Sequence, residues 1–230
     1  SLIYNKQSKL IGLNNTELDS LANLNGTALR GKSESDVESM CPGVGGEIII
    51  GFEHRHRIWR YLPRKIIPEP IVPPVELSSL PLNAGVESLA LLQNGSLLAI
   101  AEGFPNISST LAWVSNPEGW STMTYLLDSG FHPSGAATII NGDVLVLERR
   151  FTLRNGIAAR IRRINAVNIQ PGAELNSKLI AEFRDPMTTD NFEGIATRQN
   201  QKGQTIIYII SDDNFSPMQK TLLMMFKLNE

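Results

Sequence analysis

The sequence predicts an all-β chain, a β-propeller of four-stranded antiparallel blades, and three observations carry that expectation. A short motif recurs at roughly 50-residue intervals, each copy is followed by a turn and an apolar strand ending in an acid, and amphipathic helix is scarce. The motif is Val37-Glu38-Ser39-Met40, then Val86-Glu87-Ser88-Leu89, then Phe192-Glu193-Gly194-Ile195. Glu38 and Glu87 are 49 residues apart and Glu87 and Glu193 are 106 apart, about two further units. The intermediate copy falls at Ser134-Gly135-Ala136, with glycine in the place of glutamate.

Taken in order, residues 1–33 read as a partial N-terminal blade and a closing strand for the ring. The units 34–82, 83–130, 131–189 and 190–230 follow. The second strands are Gly46–Glu53, Gly95–Glu102, Gly142–Glu148 and Gly203–Asp213, each opened by a glycine turn. Third strands follow at Arg57–Leu62, Thr110–Ser115, Ala159–Ile164 and Thr221–Leu228. Their continuous apolar runs suit strands covered on both faces, as stacked blades require. The whole is expected to form one propeller domain, with five or six blades when complete and part of the first missing here.

Composition narrows the function classes. The chain has 230 residues, 19% charged, with a formal net charge of −2. That balance lacks the basic footprint of a nucleic-acid binder, so no nucleic-acid partner is expected. No apolar stretch approaches the roughly 18 residues that span a bilayer, so no transmembrane segment is expected either. The single cysteine, Cys41, excludes an internal disulfide and any multi-cysteine metal site. It reads as an inert thiol. Asn-x-Ser/Thr triplets at Asn14, Asn25, Asn94 and Asn106 read as products of Asn-rich turns. Nothing in the sequence specifies an oligomeric state.

The repeat places acids together. Glu38 and Glu53 are 15 residues apart, as are Glu87 and Glu102, while Glu193 and Asp212 are 19 apart. In an antiparallel hairpin the start of one strand lies beside the end of the next. Each pair is therefore expected at one mouth of the ring, joined there by Glu148 and Asp213. Carboxylates that close need raised pKa values, basic partners or hard cations. Oxygen-rich runs around Asn191, Glu193, Asp212 and Asp213 suit calcium, which takes six to eight oxygen ligands. Neutralisation by His54, His56, Arg57, Arg149 and Arg150, which follow the acids in sequence, is the other solution.

Several of these segments resemble the bacterial phytase-like family, also called the "esterase-like activity of phytase" family. The resemblance lies in Phe52–Tyr61, Asn83–Ala90, Leu145–Phe151, Asp190–Ala196 and Ser211–Leu223. Members usually show Asp-x-Glu-Gly where this chain has Asp36-Val37-Glu38-Ser39, and Ser88 likewise replaces glycine. The resemblance implies a propeller in exported, periplasmic or secreted, bacterial proteins with phosphoesterase or esterase activity.

The resulting expectation is metal-assisted hydrolysis of a phosphate ester, with a small anionic ligand as partner. Calcium would be held by Glu38, Glu53, Glu87, Glu102, Glu148, Asn191, Glu193, Asp212 and Asp213. Arg57, Arg149 and Arg150 would clamp the phosphate. His54 would serve as general acid, and His56, Asn214 and Gln219 would contact substrate. Serine-esterase chemistry is disfavoured, since no Gly-x-Ser-x-Gly elbow occurs and His132 and Ser134 are too constrained to pair. Gly43-Val44-Gly45-Gly46 reads as a turn rather than a phosphate loop. The competing class is a non-catalytic propeller that binds a ligand or a protein.

Overall fold

Val144, Leu145, Val146 and Leu147 are successive residues of one strand, and all four are inaccessible to solvent. Successive side chains point to opposite faces of a sheet, so both faces of this strand are covered. Leu98, Ala99 and Ile100 repeat the arrangement one blade earlier. Stacked sheets explain it. The computed structural model describes residues 1–7, 9–104, 107–153 and 156–229, leaving Asn106 of the fourth Asn-x-Ser/Thr triplet outside the described residues.

The chain opens with a hairpin of β1 (Leu2–Tyr4) and β2 (Leu10–Leu13). Blade 1 contains β3 (Val37–Pro42), β4 (Ile48–Phe52), β5 (Arg57–Tyr61) and β6 (Glu69–Ile71). Blade 2 contains β7 (Val86–Leu91), β8 (Leu97–Ala101), β9 (Ser109–Asn116) and β10 (Gly119–Leu126). Blade 3 follows with β11 (His132–Thr138), β12 (Val144–Thr152) and β13 (Gly156–Ile164). The chain then lends β14 (Glu174–Leu175) to blade 2, parallel to β10, before β15 (Lys178–Phe183) completes blade 3. Blade 4 contains β16 (Phe192–Gln199), β17 (Thr205–Ser211) and β18 (Leu223–Lys227).

Four antiparallel blades thus stand in a ring, with β3, β7, β11 and β16 innermost and packed in that order. Three apolar cores lie between them. Cys41, Ile49 and Ile58 meet Leu89, Ala99 and Trp113 between blades 1 and 2. Leu98, Ile100 and Tyr125 meet Val144, Val146 and Ile164 between blades 2 and 3. Leu145, Leu147 and Ile161 meet Phe192, Ile207 and Ile209 between blades 3 and 4. Each fully buried aliphatic side chain contributes about 1.5–3 kcal/mol relative to exposure. Burial pushes the Cys41 thiol up to about 12, consistent with an inert role.

The N-terminal segment behaves differently from the closing strand expected of it. Blade 4 is three-stranded, and β1 and β2 pair with each other rather than with β18. The Tyr4 hydroxyl instead meets the Tyr208 hydroxyl, and Arg198 donates to both. Further along, Leu21 and Leu29 pack on Ile50, Phe52 and Trp59 of blade 1, and Tyr61 donates to the Ala22 carbonyl at 2.8 Å. Residues 1–30 therefore run from the last blade to the first. No helix among the described residues is long and apolar enough to cross a membrane.

Candidate functional site

Each innermost strand carries a one-residue β-bulge at the same height. In blade 1, Val37 opposes Phe52 and Ser39 opposes Gly51, leaving Glu38 without a ladder partner. Glu87 and Glu193 occupy the same place in blades 2 and 4. Ser134 does so in blade 3. A bulge re-aims the extra residue out of the pleat. Here all four side chains line one cavity of roughly 380 Å³, walled by Met40, Leu89, Ala136, Ile195 and Ile210 among others. Ser39, where the family usually has glycine, donates its hydroxyl to the Val86 carbonyl of the next blade at 2.5 Å.

The second acid of each pair sits just past the end of the next strand. The backbone N–H groups of Glu53, Glu102 and Asp212 donate to the carbonyls of Asp36, Gly85 and Asn191, at 3.0, 3.1 and 3.0 Å. In blade 3 the equivalent residue, opposite His132, is Arg149. The third unit therefore differs from its sequence reading by one position: Ser134, not Gly135, replaces the glutamate, and Arg149, not Glu148, occupies the acid's place. Spacing along a strand cannot locate a bulge, so the shift is invisible until the strands are paired.

Glu148 points to the opposite face of β12 and away from the mouth. It is fully buried, accepts a hydrogen bond from Tyr125 Oη at 2.7 Å and pairs with Arg160 Nε. Arg160 also meets Asp128 at 3.3 Å and lies 4.2 Å from the Phe131 ring centroid. The expected metal ligand is a structural ion pair.

The remaining acids converge. Carboxylate oxygens of Glu53, Glu87 and Glu102 lie within 4.8 Å of one another. Glu87 is 6% exposed and, among the described residues, has neither a hydrogen bond nor an ion pair on its carboxylate. Burial is the main cause raising its pKa well above the usual range, with Glu38 and Glu102 adding to it and Arg149 opposing. Burial, then Glu53, Asp36, Glu193 and Glu102, push Glu38 up to about 7. Burial also raises Glu53, Glu102 and Glu193, with His54 opposing at Glu53 and Arg149 opposing at the other two. Arg149 donates to Asn191 Oδ1 at 3.1 Å and lies 3.8 Å from Glu193, while Asn191 Nδ2 donates to Glu193 at 2.6 Å. Arg149 thus opposes the rise at three of the five raised carboxyls, Glu87, Glu102 and Glu193.

The other expected residues are dispersed. His54 Nδ1 lies 2.8 Å from Asp36 and 3.6 Å from Glu53, at the edge of the cluster. His56 Nε2 instead lies 3.0 Å from the Pro81 carbonyl. The Arg57 guanidinium covers the Phe52 and Trp59 rings at 3.8 and 4.5 Å and donates to the Arg55 and Glu34 carbonyls. Arg150 covers the Phe131 ring at 4.4 Å and donates to Ser129. Asp213, Asn214 and Gln219 bond within the loop after β17, where Asp213 accepts from Thr221 and Asn214 donates to Gln219. Asp36 joins the site although the acid spacing passed over it; its signal was the Asp36-Val37-Glu38 motif itself.

Glycine at 103 is required by the same packing. A Cβ there would lie 2.6 Å from both His132 Nδ1 and Leu127 Cδ1. Gly103→Ala is expected to destabilise the fold by about 1–3 kcal/mol, read from urea unfolding. An unchanged midpoint would mean that this wall of the site is loose.

The sequence model of the phytase-like family, described as "Esterase-like activity of phytase", matches residues 2–215. No curated protein matches in sequence. Among solved structures, the Hadza microbial sialidase Hz136 is 11% identical with a TM-score of 0.50, over 83% of this chain and 44% of that one. A protein of unknown function from Bacteroides caccae is 12% identical with a TM-score of 0.42, over 98% of this chain and 68% of that one. The likeness to the sialidase speaks for the fold alone, and the chain spans less than half that protein's length. With a match running from the N-terminal hairpin to the loop after β17, the chain belongs to the phytase-like family.

Proposed function

We propose that the carboxylate cluster at the mouth binds a calcium ion and serves the hydrolysis of a small phosphate ester. The observation that carries the reading is Glu87: a buried carboxylate with no partner among the described residues, beside Glu53 and Glu102. An all-carboxylate donor set fits a hard cation. Glu53, Glu87 and Glu102 would hold the ion, with Glu38 and Glu193 nearby on neighbouring bulges. When bound, such a cation polarises a phosphate oxygen and makes a water more acidic. Arg149, oriented by Asn191 and Glu193, would bind and align the anionic phosphate. The apolar cavity wall would take the ester's organic group and exclude water. Arg57 and Arg150, each engaged by an aromatic ring, have no part in this reading. An exported, periplasmic or secreted, setting is carried over from the family.

Calorimetry with calcium on chelator-treated protein tests the binding. Glu87→Gln is expected to weaken it at least about tenfold, whereas Glu69→Gln, at the exposed start of β6, leaves it unchanged. Turnover of p-nitrophenyl phosphate and a short-chain p-nitrophenyl ester tests the chemistry. Calcium binding without turnover of either would leave a non-catalytic binding propeller, and no calcium binding would remove the proposal altogether.

A further inference from the structure

Beside the all-oxygen cluster lies a second group with a different donor set. Atoms of Asp36, Glu53 and His54 that can ligate a metal lie within 4.8 Å of one another. Asp36 Oδ2 and His54 Nδ1 are both shut off from solvent and face each other at 2.8 Å as an ion pair, without meeting the geometry of a hydrogen bond to any described residue. Glu53, itself 7% exposed, reaches the same nitrogen at 3.6 Å. Two ligating atoms shut off from solvent thus converge with Glu53, held together by charge and not by a hydrogen bond, an arrangement that a cation between them would complete.

The backbone holds this arrangement in place. Glu53 N–H donates to the Asp36 carbonyl at 3.0 Å, and His54 N–H donates to the Leu82 carbonyl at 2.9 Å. His54 adopts φ 57°, a conformation uncommon outside glycine. The nearest competing cation is Lys32, 3.7 Å from Asp36 Oδ2 on an exposed side chain that can swing into solvent.

We infer that Asp36, Glu53 and His54 form a separate site for a borderline divalent cation of the zinc type, sharing Glu53 with the proposed calcium site. One imidazole nitrogen and two carboxylates are ligand types that zinc takes, and three protein ligands leave a position open for water or substrate. Calcium prefers oxygen alone, so the imidazole sorts the two cations between adjoining sites. His54 then acts as a ligand through Nδ1 rather than as a free general acid. The inference borrows Glu53 from the calcium reading but depends on none of its activity.

Calorimetric titration of the metal-stripped full chain with zinc, with and without saturating calcium, tests it. One zinc is expected to bind in both conditions. His54→Gln and Asp36→Asn should each weaken zinc at least about tenfold, a larger loss than either causes for calcium. Cobalt substituted for zinc should show a visible absorption band that His54→Gln abolishes. His54 is partly exposed, so that variant is expected to fold, with thermal unfolding as the check. Zinc affinity unchanged by both variants would overturn the inference. So would zinc that is displaced by calcium and lost in Glu87→Gln, because it would then be using the oxygen cluster. Zinc bound without calcium would leave this site standing and remove the calcium proposal; calcium bound without zinc would do the reverse.

Discussion

Arg160→Met is expected to lower stability by about 3–5 kcal/mol, because it leaves Glu148 as a fully buried carboxylate without its cation. For a chain of this size that is a fall of about 6–20 °C in Tm. Tyr125 still donates to Glu148, but a hydrogen bond from one uncharged hydroxyl does not replace a buried guanidinium. The paired change Glu148→Leu with Arg160→Met removes both charges and should recover most of the loss, since apolar replacement of a buried pair is often near neutral. Thermal and urea unfolding of the three proteins decide the matter. A single variant within 1 kcal/mol of the parent would mean that water reaches the blade 2–blade 3 interface. The pair lies away from the acidic mouth, so calcium affinity should hold in every variant that folds.

In chelator, the protein is expected to be less stable at pH 8 than at pH 5. Glu38 rises to about 7 in the folded state against an ordinary 4.5, and Glu53, Glu87, Glu102 and Glu193 shift the same way. A carboxyl whose folded pKa is raised holds its proton more firmly than the unfolded chain does. Its stabilising contribution is complete below about pH 4.5 and is lost as pH climbs through the folded value. Glu38 alone should account for roughly 2 kcal/mol across that window. Carboxyls shifted the other way, Glu76, Asp128 and Asp143, titrate below their ordinary values and so act at more acid pH. Calcium should remove the loss at pH 8 by compensating the ionised cluster. Melting curves at the two pH values, with chelator and with calcium, read this directly. A chelated protein whose Tm is flat or rises with pH would show that the acids are already ionised and neutralised.

Much of this architecture was legible before any strand was paired. The 49-residue step from Glu38 to Glu87 marks blades because each repeat must bury its strands against the next. The 15-residue spacing of Glu38 with Glu53 and of Glu87 with Glu102 brings those acids together because a hairpin returns its end to its start. The third unit was misread by one residue at both Ser134 and Glu148. A single bulged residue changes which side chains face the axis, and nothing local in Pro133-Ser134-Gly135 announces it. The basic residues were harder still. His54, His56 and Arg57 are near neighbours in sequence, yet one meets Asp36, one meets a carbonyl of Pro81 and one stacks on Phe52 and Trp59. Adjacency to an acid along the chain says little about direction once a turn intervenes.

The sequence by itself determined the repeat, the all-β propeller and the gathering of acids at one mouth, because all three follow from periodicity. Tertiary structure alone decided which acids stay unpartnered and which cation faces them. It buried Glu148 against Arg160, set Arg149 among the carboxyls and turned His54 toward Asp36. Those outcomes rest on burial and on Coulomb terms between residues far apart in sequence, and only the packed blades bring such residues within reach.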